Sequence, residues 1–258
     1  MLKEFKTKFN PSNEARTEEH LKKFNRDAVL MSLIGDSKPV IFDVGGYTGK
    51  SIIYLKSLFP SASITSFEPN PLVIDAIKEV VAQFDDVKEV HSAVSNCTGT
   101  IEYVQQGINP GLGGVHRKNL VSRDSIDLNK LCDKGEPEKA AYLSEVNKDI
   151  VKVPATTLAD YVVANPLAGR ISLMKLDVQG HEPEVLEGCG DHILNITDNI
   201  LTEISFYDFY EKEVSFFDIE KIILPFGFRL WDISHISKNP MNGRTDWVDV
   251  IYAKGRSA

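Results

Sequence analysis

Cysteine is scarce in this chain and follows no pattern. The three residues, Cys97, Cys132 and Cys189, are odd in number and widely spaced. No disulfide framework and no cysteine-based metal motif can be read from them. Free thiols fit a reducing setting, so a cytoplasmic location is expected. Long apolar runs are missing too. No stretch approaches the roughly 20 residues that a membrane-spanning helix needs. The N-terminus, Met1-Leu2-Lys3-Glu4-Phe5-Lys6, lacks an apolar signal core. Positive charge is in deficit, with a net charge of −8 at pH 7, which argues against broad binding to nucleic acid or an anionic membrane. Arg117, Lys118 and Arg123 make only a small local basic patch. What is present is 258 residues of ordinary globular composition, 42% hydrophobic and 26% charged, enough for one large α/β domain.

The chain is organised around Val40-Ile41-Phe42-Asp43-Val44-Gly45-Gly46-Tyr47-Thr48-Gly49-Lys50-Ser51. A short apolar run reads as a buried strand, breaks at a glycine turn, and passes into a helical pattern that ends before Pro60. Strand, glycine turn and helix form the first half of a mononucleotide-binding βαβ unit. Gly45 and Gly49 permit backbone angles that side chains disfavour. The second half is Ser63 to Phe67, a strand ending in Glu68-Pro69-Asn70-Pro71. An acid at that tip is placed to hold ribose hydroxyls. Asn70 and Pro71 predict a helix over 71–84.

The glycine spacing narrows the ligand. A dinucleotide fingerprint needs G-x-G-x-x-G, with bare backbone against the pyrophosphate. Here Tyr47 stands two places after Gly45, and Lys50 takes the third glycine position. A P-loop is absent as well, because the glycine before Gly49-Lys50-Ser51 is at the wrong spacing.

The rest of the chain alternates in the same way. Residues 14–34 predict one amphipathic helix with Leu21, Phe24, Ala28 and Met31 on one face. That makes 1–36 a tail and helix packed on the core, and 37–258 the main domain. Val87 to Val90 reads as the third strand, and the following Ser92 and Ala93 lie where strand ends border an adenine. An insertion at about 105–150 opens with a glycine-rich run, carries His116 and Arg117, and is expected to cover the acceptor site. A helix is expected over Ala140 to Asn147. Ile171 to Leu176 reads as a core strand that delivers Asp177 to the crevice, followed by Gln179, Gly180, His181 and Glu182. Ile200 to Ser205, Phe228 to Ile233 and Trp247 to Ala253 read as the remaining strands, with a turn at Asn242-Gly243. The fold expected is α/β and Rossmann-like. It has a seven-stranded, mostly parallel sheet with an antiparallel last strand and helices on both faces.

Three stretches carry a family resemblance: Phe42 to Gly49, Ser66 to Pro71, and Met174 to Glu182. The chain resembles FkbM-type methyltransferases from about residue 38 to 254. The resemblance implies S-adenosylmethionine as methyl donor and O-methylation of a sugar hydroxyl in a glycan or small metabolite. It implies that Asp43, Gly45, Gly46, Tyr47 and Gly49 meet the methionine end of the cofactor and that Glu68, with Pro69, holds the ribose. The family usually has Asn where Tyr47 stands and an acid where Gln179 stands.

Methyl transfer to a hydroxyl needs its proton accepted. Asp177 is the first candidate and His181 the second. Asp177 and Glu203 could also supply oxygen ligands to a divalent metal. The expected partner is a small-molecule or glycan acceptor, and self-association into a homo-oligomer is compatible with the sequence. Two other readings stay open: an NAD-dependent oxidoreductase using Glu68, and a non-catalytic binding module on the same fold.

Overall fold

The computed structural model describes residues 12–106, 110–119, 146–206, 209–212, 214–239 and 243–255. Arg123, Cys132, Asn242, the tail before Ser12 and the start of the helix expected at Ala140 lie outside the described residues. The chain divides into two compact units, Met1–Gly35 and Asp36–Ala258.

In the first unit the expected single helix is two. Helix α1 is Asn13–Lys23 and α2 is Arg26–Leu33. Phe24 is extended, with φ −127°. The Asn25 side chain accepts the Ala28 N–H at 2.9 Å and starts α2. Asparagine caps a helix better than it propagates one, so the break falls where the apolar periodicity alone runs on. Leu21, Phe24 and Met31 are exposed, while Val29 and Leu30 are buried.

The second unit is built on β1 (Val40–Val44), β2 (Ser63–Phe67), β3 (Val87–Val90), β7 (Leu173–Leu176), β8 (Asn199–Ser205), β9 (Phe228–Lys238) and β10 (Thr245–Lys254). Their order in the seven-stranded sheet is β3-β2-β1-β7-β8-β10-β9. All neighbouring pairs are parallel except those of β10, which runs antiparallel to β8 and β9. The helices are α3 (Lys50–Leu58), α4 (Ile74–Val81), α5 (Leu158–Ala164), α6 (Glu182–Ile196) and α7 (Phe216–Ile223). Helix α4 starts three residues later than Pro71, because Asn70 Oδ1 takes the Leu72 N–H at 3.0 Å in a turn before it. The core gathers Phe42, Phe67, Leu176, Val185, Ile204 and Tyr252, all nearly sealed from solvent. Phe42, Phe67 and Tyr161 meet edge to face, with centroids 4.9 to 6.1 Å apart.

A second sheet is ordered β4-β6-β5. It comprises β4 (Ala93–Val94), β5 (Gly99–Gln105) and β6 (Asp149–Thr156). Strands β5 and β6 pair antiparallel from Gly99↔Ala155 to Gln105↔Asp149. The insertion therefore leaves and returns through one paired ribbon. The Asn147 side chain closes its described ends, accepting the Lys118 N–H at 2.9 Å and donating to the Lys118 carbonyl at 2.8 Å.

Candidate active site

Register builds the site. Strand β1 lies between β2 and β7, and Asp43 pairs in register with both Ser66 and Lys175. Side chains in lateral register share a face. Asp43 Oδ2 accepts the hydroxyls of Ser66 at 2.8 Å and Ser51 at 2.7 Å. Its Oδ1 stands 3.2 Å from Lys175 Nζ. Lys175 also approaches Asp177 Oδ2 at 3.6 Å and donates to the Gly45 carbonyl at 3.3 Å. Burial alone would depress the lysine, but Asp43 and Asp177 outweigh it and hold the ammonium above its usual range.

One residue beyond the ends of β1, β2 and β7 come Gly45, Glu68 and Asp177. They meet at the carboxyl edge, where the strand order reverses between β1 and β7, the usual ligand position of an open α/β sheet. A Cβ on Gly45 would fall 2.0 Å from the Asp177 carbonyl oxygen, so only glycine fits. Gly49 takes φ 81° and caps α3. A Cβ there would lie 2.9 Å from Val80.

The cleft at this edge encloses about 680 Å³, its open mouth included. Gly45, Tyr47, Glu68, Pro69, Ala93, Asp177 and His181 line it. Asp43, Gly46, Gly49 and Ser92 do not. Asp43 and Gly46 lie behind the turn against Ser66, and the Ser92 hydroxyl turns to the Ala93 carbonyl at 3.0 Å. Sequence reasoning missed Val44, Phe67, Val94 and Tyr103 as walls, and it missed Lys175. The one signal for Lys175 was a cation inside an apolar strand. The described part of the insertion forms a further wall at Pro110, Gly111, Gly113, Gly114 and Val115.

Glu68 is 5% exposed. Its Oε2 accepts the Tyr47 N–H and its Oε1 the Asn70 N–H, both at 2.7 Å. Burial raises its pKa to about 7 against the pull of those two bonds. Each carboxylate oxygen keeps a lone pair for an incoming hydroxyl. Two residues on the cleft hold left-handed backbone, Tyr47 at φ 48° and Gln179 at φ 58°. These are the two positions that depart from the resembled pattern. The Gln179 side-chain amide donates through Nε2 to Asp177 Oδ1 at 2.8 Å, and its Oε1 accepts the Tyr210 hydroxyl.

Asp177 keeps 44% of its side chain exposed in the cleft. His181 is 5% exposed. Its Nε2 lies 3.0 Å from the Ser95 hydroxyl and its Nδ1 3.2 Å from His116 Nε2. Burial drives the His181 imidazole well below its usual range, to about 4. With both nitrogens engaged, it is a poor proton acceptor.

The pair expected to hold a metal, Asp177 and Glu203, borders two different cavities. Burial first, then Asp177 and Glu182, raise Glu203 to about 9. It therefore keeps its proton at neutral pH.

The cleft suits S-adenosylmethionine by its own features. Apolar walls at Phe67, Ala93 and Val94 can flank a flat base, Glu68 presents two acceptor oxygens, and the Gly45 backbone is bare. Tyr47, by contrast, occupies the place where a pyrophosphate needs bare main chain.

The model of the methyltransferase FkbM domain matches residues 43–230. The chain is 26% identical over 164 residues to Methyltransferase 1 of Beauveria bassiana, covering 64% of this chain and 64% of that protein. It thus spans just under two thirds of that relative's length. It is 28% identical over 189 residues to the 2-O-methyltransferase NoeI of Sinorhizobium fredii, covering 72% of this chain and 71% of that one. Among solved structures it resembles methyltransferase FkbM from Methylobacillus flagellatus KT in fold. The TM-score is 0.50 at 11% identity, over 84% of this chain and 44% of that chain. Among the described residues no helix is long and apolar enough to cross a membrane.

Proposed function

This chain belongs to the FkbM methyltransferase family, and from that premise we propose that it methylates a hydroxyl oxygen of a saccharide or small hydroxylated metabolite. The observation that carries the reading is the meeting of Gly45, Glu68 and Asp177 around one cleft. S-adenosylmethionine, when bound, supplies an electrophilic methyl group. Glu68 accepts the ribose hydroxyls. Gly45 gives the cofactor close access to the main chain. Asp177 accepts the proton of the acceptor hydroxyl and orients that oxygen. Lys175 Nζ, 3.6 Å from Asp177 Oδ2, holds that side chain toward the cleft. The wall from Pro110 to Val115 excludes water and selects the acceptor. The relative named as a 2-O-methyltransferase supports oxygen as the methylated atom.

The test is a screen of mono- and oligosaccharides with methyl-labelled S-adenosylmethionine, read by mass spectrometry. Label on a sugar oxygen is the expected result. Label only on amines, thiols or carbon would overturn the acceptor class.

A further inference from the structure

Three donor atoms from two separate parts of the chain converge beside the cleft. His116 comes from the insertion, and His181 and Glu184 from the start of α6. His116 Nε2, His181 Nδ1 and Glu184 Oε2 all lie within 4.8 Å of one another. Two edges of the triangle are shorter: 3.2 Å between the two ring nitrogens and 3.5 Å from His181 Nδ1 to Glu184 Oε2. Two donors bound to zinc at about 2.1 Å and a tetrahedral angle stand about 3.4 Å apart.

The chemistry around the triangle suits ligation. Glu184 Oε2 is sealed from solvent and makes no hydrogen bond. Its twin oxygen is held by Lys212, which fixes the carboxylate's direction. His181 Nε2 faces the Ser95 hydroxyl at 3.0 Å. If that nitrogen carries the ring proton, Nδ1 is left bare for a metal, an outer-sphere bond typical of histidine ligands. Without an ion, two imidazole nitrogens must share one proton, and the buried carboxylate oxygen beside them is unused.

We propose that His116 Nε2, His181 Nδ1 and Glu184 Oε2 form a binding site for a divalent first-row transition ion, zinc above all. Two imidazoles and one carboxylate are a donor set of that class rather than of magnesium or calcium. The ion clamps the insertion at His116 onto α6. Three protein ligands leave one coordination position for water or an acceptor oxygen. His181 is then a ligand, and its conservative replacement costs metal affinity before it costs anything else.

The full chain, stripped with a chelator, is titrated with cobalt(II) and followed by visible absorption, with zinc as competitor. One equivalent of cobalt with the intense bands of a low-coordinate site is expected, displaced by one equivalent of zinc. His116→Gln and Glu184→Gln should each weaken binding at least about tenfold. Zinc at a hundredfold excess over its Kd should raise the thermal midpoint of the unsubstituted chain by about 5 °C or more. X-ray absorption of the zinc-loaded unsubstituted chain needs no variant, and it should show two imidazoles in the zinc shell. Sub-stoichiometric cobalt uptake, undiminished binding in both variants, or a zinc shell without imidazole would each overturn the site.

Discussion

The ammonium of Lys175 stands 3.2 Å from Oδ1 of Asp43, a carboxylate with no exposed surface. Beyond that ion pair, Asp43 Oδ1 makes no hydrogen bond. Removing the cation leaves a buried charge without a counter-ion, which costs roughly 3–5 kcal/mol. Lys175→Met should lower unfolding free energy by about that amount in urea titration. Adding Asp43→Asn should recover part of it. A loss under about 1 kcal/mol would mean the pair behaves like a surface ion pair.

Tyr47 sits at φ 48° while its N–H serves Glu68 Oε2. The left-handed region costs an ordinary residue about 1–2 kcal/mol, and asparagine tolerates it better. Tyr47→Asn should therefore raise the melting midpoint of the ligand-free protein by about 2–4 °C in calorimetry. A lower midpoint would show that the tyrosine ring contributes more by packing in the cleft than its backbone costs.

Asp177→Asn separates catalysis from structure. Asparagine keeps the size and an acceptor oxygen but cannot take a proton. Turnover should fall by about 10²–10⁴ if Asp177 is the base, with little change in cofactor affinity. Near-normal turnover would remove Asp177 from the chemistry, since asparagine can still accept the Gln179 side-chain amide.

Glu203 makes stability fall as pH rises. Unfolded, it ionises near 4.5, whereas burial holds its proton to about 9 in the folded chain. Between those values the folded state binds more protons, so unfolding free energy decreases as pH increases. The stabilisation is complete below 4.5 and is lost as pH passes about 9. Thermal midpoints measured across this window should decline, and Glu203→Gln should flatten the decline. An unaltered slope in the variant would assign the decline to other groups, Glu68 and Glu182 among them, both raised to about 7.

The turn at Gly45, the acid at Glu68 and the strand-tip Asp177 were legible because each follows a short run, rich in apolar or β-branched residues, that reads as a strand and ends in a turn signal. Their meeting followed from parallel-sheet topology. The Asp43–Lys175 contact was not legible, because it depends on β1 and β7 lying side by side in register, far apart in sequence. The same holds for Tyr103 and the β5–β6 ribbon, whose pairing spans the whole insertion. His116 lies 65 residues from His181 in sequence. Its relation to His181 and Glu184 depends on tertiary contacts that hold the insertion's described part beside the cleft, the Val104↔Gly114 and Lys118↔Tyr210 bridges and the Asn147 side chain among them.

The central claim is that this cleft holds S-adenosylmethionine through Glu68. Calorimetric titration with S-adenosylhomocysteine tests it without a known acceptor. The account predicts one-to-one binding and no heat with NAD. It also predicts that Glu68→Ala weakens affinity about tenfold or more, since bonds to a charged group are worth about 1.5–3 kcal/mol. Silence with S-adenosylhomocysteine, or equal affinity in Glu68→Ala, would contradict it.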